Sequence, residues 1–199
     1  MAYAARDDRP ADKAARYAEV EAEILAVLEG EPDRTARMAT VASMLADAFP
    51  AFFWTGFYRV DPDKADELVV GPYQGTLGCL RIAFGRGVCG AAARDRVTQV
   101  VDDVHAFPGH IACDSRSASE IVVPVFDASG TLIAVFDVDA TVPSAFDAVD
   151  AGALEPAYGP GVRLIVRTQC RLRGVFLAPM AVDIGHSGHS GPGFLGDVT

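Results

Sequence analysis

The chain has 199 residues, half of them apolar, with a mean hydropathy of +0.21, enough for one domain with a substantial core and a short appended segment. Its net charge is −10, its pI is near 4.7, and its 17 basic residues form no long run, which argues against nucleic acid and anionic membranes as partners. The apolar stretches fall short of the roughly 20 residues a spanning helix needs, and residues 1–20 lack the apolar region of a signal peptide, so the sequence reads as cytoplasmic.

Tyr17, Val20, Ile24 and Val27 fall at steps of 3, 4 and 3, the stripe of an amphipathic helix, which Gly30 and Pro32 end. Met38, Val41, Leu45 and Phe49 repeat the pattern behind Asp33, an N-cap residue type, and Pro50 stops it. Phe52–Val60 is aromatic-rich and closed by Asp61-Pro-Asp63, which predicts a strand and a turn. Leu68–Tyr73 predicts a second strand. Residues 74–118 are rich in glycine and show little periodicity beyond Val97–Val101 and a short helix near Val88–Arg94. A loop region of that length in a compact domain points to function. Glu120–Phe126 and Thr131–Ala140 then predict a hairpin across Asp127-Ala-Ser-Gly130. Phe146–Leu154 carries the last helical stripe. From Pro156 the text turns rich in glycine, proline and histidine, so residues 10–155 are expected to form one α+β domain and 156–199 a disordered tail.

Chemistry concentrates in the second half of that domain. Cys79, Cys89 and Cys113 share the glycine-rich region, and Glu120, Asp137 and Asp139 follow in apolar sequence. In a reducing compartment, cysteines read as catalytic, metal-binding or incidental before they read as structural disulfides. With no CxxC pair and no histidine at ligand spacing, a structural zinc site is not expected, and no other cofactor is implied. Residues two apart on a strand share a face, so Asp137 and Asp139 stand side by side with Val135, while Phe136 and Val138 turn away. Carboxylates that close repel, and at least one pKa should rise, leaving an acid able to donate a proton near neutral pH. Solvated acids on an edge strand are the plainer alternative, but Ile133-Ala-Val-Phe136 favours an interior strand. Trp54 and Tyr58, four apart, share a face and wall a pocket or simply fill the core. His105 and His110 flank Cys113 and are assigned no catalytic role, and Cys170 is read as incidental.

Six blocks carry a resemblance: Phe52-Phe-Trp-Thr-Gly-Phe-Tyr58, Gly71-Pro-Tyr-Gln-Gly75, Gly85-Arg-Gly-Val-Cys-Gly90, Gly109-His-Ile-Ala-Cys-Asp114, Ser119-Glu-Ile-Val-Val-Pro124 and Phe136-Asp-Val-Asp139. Together, and in this order, they closely resemble the free methionine-(R)-sulfoxide reductases, a GAF-domain family, over residues 10–155. The resemblance implies a GAF fold: a central antiparallel sheet, helices packed on one side and a capping loop over the pocket. It also implies reduction of free L-methionine (R)-S-oxide, with Cys113 as nucleophile, Cys79 as resolving cysteine and Cys89 as an alternative one. Glu120, Asp137 and Asp139 then match the substrate-site carboxylates, Trp54 and Tyr58 the aromatic wall, and thioredoxin the reductant. Gly78 and Ala134 stand where the family pattern has alanine and glycine. The C-terminus departs further, since the family's last helix continues and packs beside the first; without it, an apolar patch would favour a homodimer. Two other readings remain open, a GAF module that binds a small ligand without chemistry and a thiol redox sensor without turnover.

Overall fold

The computed structural model describes residues 8–111 and 113–155 of the chain. The expected tail, with Cys170, lies outside the described residues. Helix α1 (Lys13–Val27) starts at Asp12, whose carboxylate accepts from the Ala15 N–H at 2.8 Å. It buries Tyr17, Val20 and Ile24. Val27, expected on that stripe, is half exposed, and Leu28 completes it instead. Leu28 lies four residues after Ile24, closer to the same face of a 3.6-residue helix than its neighbour. Helix α2 (Arg34–Ala48) is capped by Asp33 as expected, and Met38, Val41 and Leu45 are buried. Phe49 is the C-cap and is buried too.

Six strands form one antiparallel sheet: β1 (Trp54–Asp61), β2 (Lys64–Gln74), β3 (Arg81–Ala83), β4 (Gln99–Val101), β5 (Ser119–Phe126) and β6 (Leu132–Ala140), in the order β3-β2-β1-β6-β5-β4. The predicted hairpin of β5 and β6 is present, and β6 lies in the interior of the sheet. Strand β2 starts four residues earlier than the apolar run suggests. Its charged first residues are held by pairing with β1, from Asp61 opposite Lys64, and that pairing leaves no hydrophobic signature. Strands β3 and β4 and the 3₁₀ turn Val104–Ala106 emerge from the glycine-rich region, as does helix α3 (Gly87–Asp95).

The two faces of the sheet bury different things. On one, Phe57, Ile121, Val123, Phe136 and Val138 meet α1, α2 and α4 (Ala148–Leu154) in the larger core. Aromatic contacts run through it from Tyr17 to Phe49 (4.3 Å between centroids), Phe52 (4.8 Å) and Phe146 (5.8 Å). Helix α4 is fastened to α1 by polar contacts: the Tyr17 hydroxyl donates to Asp150 at 2.8 Å, and Lys13 Nζ reaches the same buried carboxylate at 2.6 Å. A buried charge of this kind is tolerated because it is both paired and hydrogen-bonded. The other face buries Trp54, Tyr58, Val122 and Val135 beneath α3 and the segments on either side of it. That face holds the site. No helix among the described residues is long and apolar enough to cross a membrane.

Candidate active site

The register of three adjacent strands builds the floor of a recess. Across the β1–β6 ladder, Trp54 pairs with Asp139, Gly56 with Asp137, and Tyr58 with Val135. Across β5–β6, Glu120 pairs with Asp139. Since alternate residues of a strand share a face, the pairing collects Trp54, Tyr58, Glu120, Asp137 and Asp139 on the α3 side. Glycine is required at 56 for another reason: a side chain there would collide with Tyr73, paired with it on β2. The recess has an empty volume of about 520 Å³, open solvent at its mouth included.

Of the residues singled out by sequence, Trp54, Tyr58, Cys89, Cys113, Glu120, Asp137 and Asp139 all line this recess. Cys79 joins it through a disulfide to Cys113, with a Cα–Cα distance of 5.3 Å across 34 residues, within the ordinary span for such a bridge. Cys113 is exposed and Cys79 half-buried, so the bridge stands at the mouth. Cys89 is different. It is the free thiol among the described residues, buried on α3, and it donates to Glu120 Oε1 at 3.8 Å.

The aromatic wall is a stack of three rings. Trp54 lies between Tyr58 (5.5 Å between centroids, 18° between planes) and Tyr73 (5.0 Å, 15°). Its indole N–H donates to the Thr76 carbonyl at 3.0 Å, which fixes the ring against the capping segment. Trp54 and Tyr58 therefore serve the core and the recess at once.

Charge is strongly suppressed at the floor. Burial comes first, followed by repulsion among the carboxylates, and together they raise Glu120 and Asp137 well above the usual range. Asp139 is pushed up to about 6, chiefly by burial, against a hydrogen bond from Ser117 that lowers it. Burial also raises the Cys89 thiol, with Asp137 and Glu120 adding to it. Tyr58 is raised by burial and then by Asp137. The expectation of one raised acid is thus met three times over. Burial thus favours the protonated forms of Glu120, Asp137, Cys89 and Tyr58 around Asp139, so groups able to donate a proton face the cavity.

Several residues of the site escaped the sequence reading. Tyr73 completes the stack, Ser117 holds Asp139, and Asp114 beside Cys113 is held well below the usual carboxylate range by Arg116 and Thr76. The Thr76 hydroxyl donates to Asp114 at 2.8 Å and Arg116 bridges it at the same distance. These bonds tie the β2 end of the capping segment to the loop bearing Cys113. His110, assigned no role from sequence, lines the recess with its pKa lowered by burial and by His105. Tyr73 and Asp114 stood within the six resembling blocks without a role of their own, and the contacts of Thr76, Asp114 and Ser117 depend on how residues 74–118 fold back.

The profile of the GAF domain matches residues 22–158. GAF domain-containing protein A of Dictyostelium discoideum is 46% identical over 114 residues, covering 57% of this chain and 70% of that protein. Free methionine-R-sulfoxide reductase of Saccharomyces cerevisiae is 38% identical over 131 residues, covering 64% of this chain and 73% of that protein. Among solved structures, free methionine-R-sulfoxide reductase from Neisseria meningitidis in complex with its substrate superposes with a TM-score of 0.69 at 50% identity, covering 73% of this chain and 85% of that one.

Proposed function

The chain belongs to the GAF-domain family of free methionine-R-sulfoxide reductases and is an oxidoreductase, and on that premise we propose that it reduces free L-methionine (R)-S-oxide through Cys113. The observation that carries the reading is the Cys79–Cys113 disulfide at the mouth of a recess walled by aromatic rings and floored by buried acids whose pKa values are raised. That is the arrangement expected of the oxidised form of such an enzyme.

In the reduced enzyme, the Cys113 thiolate attacks the sulfoxide sulfur while one of the buried acids, Glu120 or Asp137, gives its proton to the sulfoxide oxygen. The hydroxyl then passes from the methionine sulfur to the Cys113 sulfur: the S–O bond to methionine and the transient S–S bond break, methionine departs as the reduced product, and Cys113 is left as a sulfenic acid. The Cys79 thiol then displaces that oxygen as water and closes the disulfide. Thioredoxin, a protein dithiol, reopens the bridge by exchange and is itself oxidised. The balance is one sulfoxide and one dithiol consumed, with one methionine, one water and one oxidised thioredoxin formed. Cys89 stands as the reserve resolving thiol, and its burial and raised pKa make it the slower one.

Three carboxylates beside a thiolate nucleophile would oppose its ionisation. Protonation of Glu120 and Asp137 removes most of that opposition before substrate arrives. The substrate ammonium then faces Asp139, and its positive charge favours ionisation of the neighbouring acids. This supports a free amino acid as substrate, since a peptide bond removes the ammonium. The thioether and methylene groups pack on the Trp54–Tyr58 stack. Leu80, next to Cys79, is 69% exposed, an apolar contact for a protein reductant approaching the bridge. Sustained methionine production with a thioredoxin system tests the reading; a disulfide that forms under peroxide and never turns over sulfoxide would overturn it in favour of a redox sensor.

A further inference from the structure

Cys89, Glu120 and Asp137 come from α3, β5 and β6, three elements far apart in the chain. Folding brings one ligand atom of each within 4.8 Å of the other two, and all three side chains are buried at the floor of the recess. The Cys89 Sγ to Glu120 Oε1 separation is 3.8 Å. Tetrahedral zinc, with thiolate at about 2.3 Å and carboxylate oxygen at about 2.0–2.2 Å, holds such atoms roughly 3.5 Å apart. The Cys89–Glu120 pair is therefore within a few tenths of an ångström of that spacing, and Asp137 offers its ligand atom within 4.8 Å of both.

A second feature points the same way. Asp137 Oδ1 is buried without a hydrogen-bond partner, on a residue only 5% exposed. A carboxylate oxygen left so is short of a donor or a cation. Three protein ligands and an open side toward the cavity are what zinc sites that bind exchangeable ligands share. Sulfur with oxygen favours zinc over magnesium or calcium, which take oxygen alone.

We propose that Cys89, Glu120 and Asp137 form a binding site for a zinc-type divalent cation, and that the ion excludes substrate. Binding is a simple exchange: the thiol proton and the carboxyl protons go to solvent as the cation enters, and nothing is oxidised or reduced. The exclusion of substrate rests on the proposed function of these acids; the metal site itself does not. With Cys79 and Cys113 joined as a disulfide, neither is available as a thiolate ligand, so the oxidised full-length protein isolates this site from the redox pair.

The test titrates the oxidised full-length protein with Zn²⁺ against a chromophoric chelator, and with Co²⁺ to read the thiolate-to-cobalt absorption band. One equivalent bound, with a band that disappears in Cys89→Ser and an affinity at least tenfold weaker in Glu120→Gln, is the expected result. Circular dichroism checks that both variants are folded, and each retains its neighbours' ligands. Absence of the cobalt band from the wild-type protein, or its persistence in Cys89→Ser, overturns the site. In steady-state turnover, Zn²⁺ should raise the apparent KM for methionine sulfoxide without lowering kcat. Loss of the metal site with turnover intact removes this inference alone, whereas a metal site without sulfoxide turnover removes the proposed function and leaves this inference standing.

Discussion

Asp137 pairs with Gly56 across the β1–β6 ladder, so its buried carboxyl sits opposite a position with no side chain. Trp54 and Tyr58 flank that position on the same strand, and both rings line the recess with the acids. The site is thus set by strand register, with the cysteines brought to it by α3 and the capping segments.

The two bridged cysteines should separate chemistry from recycling. Cys113→Ser should abolish single-turnover release of methionine. Cys79→Ser should release about one equivalent and then recycle poorly with thioredoxin, and the Cys79→Ser, Cys89→Ser pair should not recycle at all. Product quantified by rapid quench decides it: release from Cys113→Ser would mean that another thiol attacks.

The acids make a claim about the substrate's ammonium. N-acetylmethionine sulfoxide lacks that charge and should lose one charge-assisted hydrogen bond, about 1.5–3 kcal/mol, or tenfold to a hundredfold in kcat/KM. Side-by-side kinetics of the two substrates check it, and equal efficiency would take the ammonium out of the account.

How far the sequence could be read is clearest at these same residues. The period of two in Phe136-Asp-Val-Asp139 and the aromatic run at Phe52–Tyr58 marked the strands, and the face shared by Asp137 and Asp139 followed from that period. Asp33 was a visible cap because capping is local. Strands β3 and β4, at three residues each, are too short for any period to register, and they form because β2 and β5 offer edges to pair with. The contact between Cys89 and Glu120 joins residues 31 apart, and the bonds from Ser117 and Thr76 depend on the path of the capping segments. None of these leaves a pattern along the chain.

Asp139 carries a consequence for stability. Its pKa rises from 3.8 to about 6 on folding, so the folded state holds the proton more tightly than the unfolded one. The contribution is fully present below pH 3.8, and is lost as pH rises through about 6, up to about 3 kcal/mol in all. The unfolding free energy of wild type minus that of Asp139→Asn should therefore fall between pH 4 and 6.5. Urea melts across that range measure it; a difference that rises with pH would contradict the burial of a raised acid.

Leu80 provides a test of the reductant. Removing an exposed leucine from the docking face costs about 1.5 kcal/mol, so Leu80→Ser should raise the KM for thioredoxin about tenfold while turnover with dithiothreitol stays as in wild type. A parallel loss with both reductants would place the effect on the site and not on docking.

The central claim is tested most directly by giving the full-length enzyme racemic free methionine sulfoxide with thioredoxin, thioredoxin reductase and NADPH, and following each isomer by chiral chromatography. The account predicts that the R isomer is consumed to completion, with one NADPH oxidised per methionine formed and the S isomer untouched. Consumption of both isomers alike, or NADPH oxidation without methionine, would contradict it.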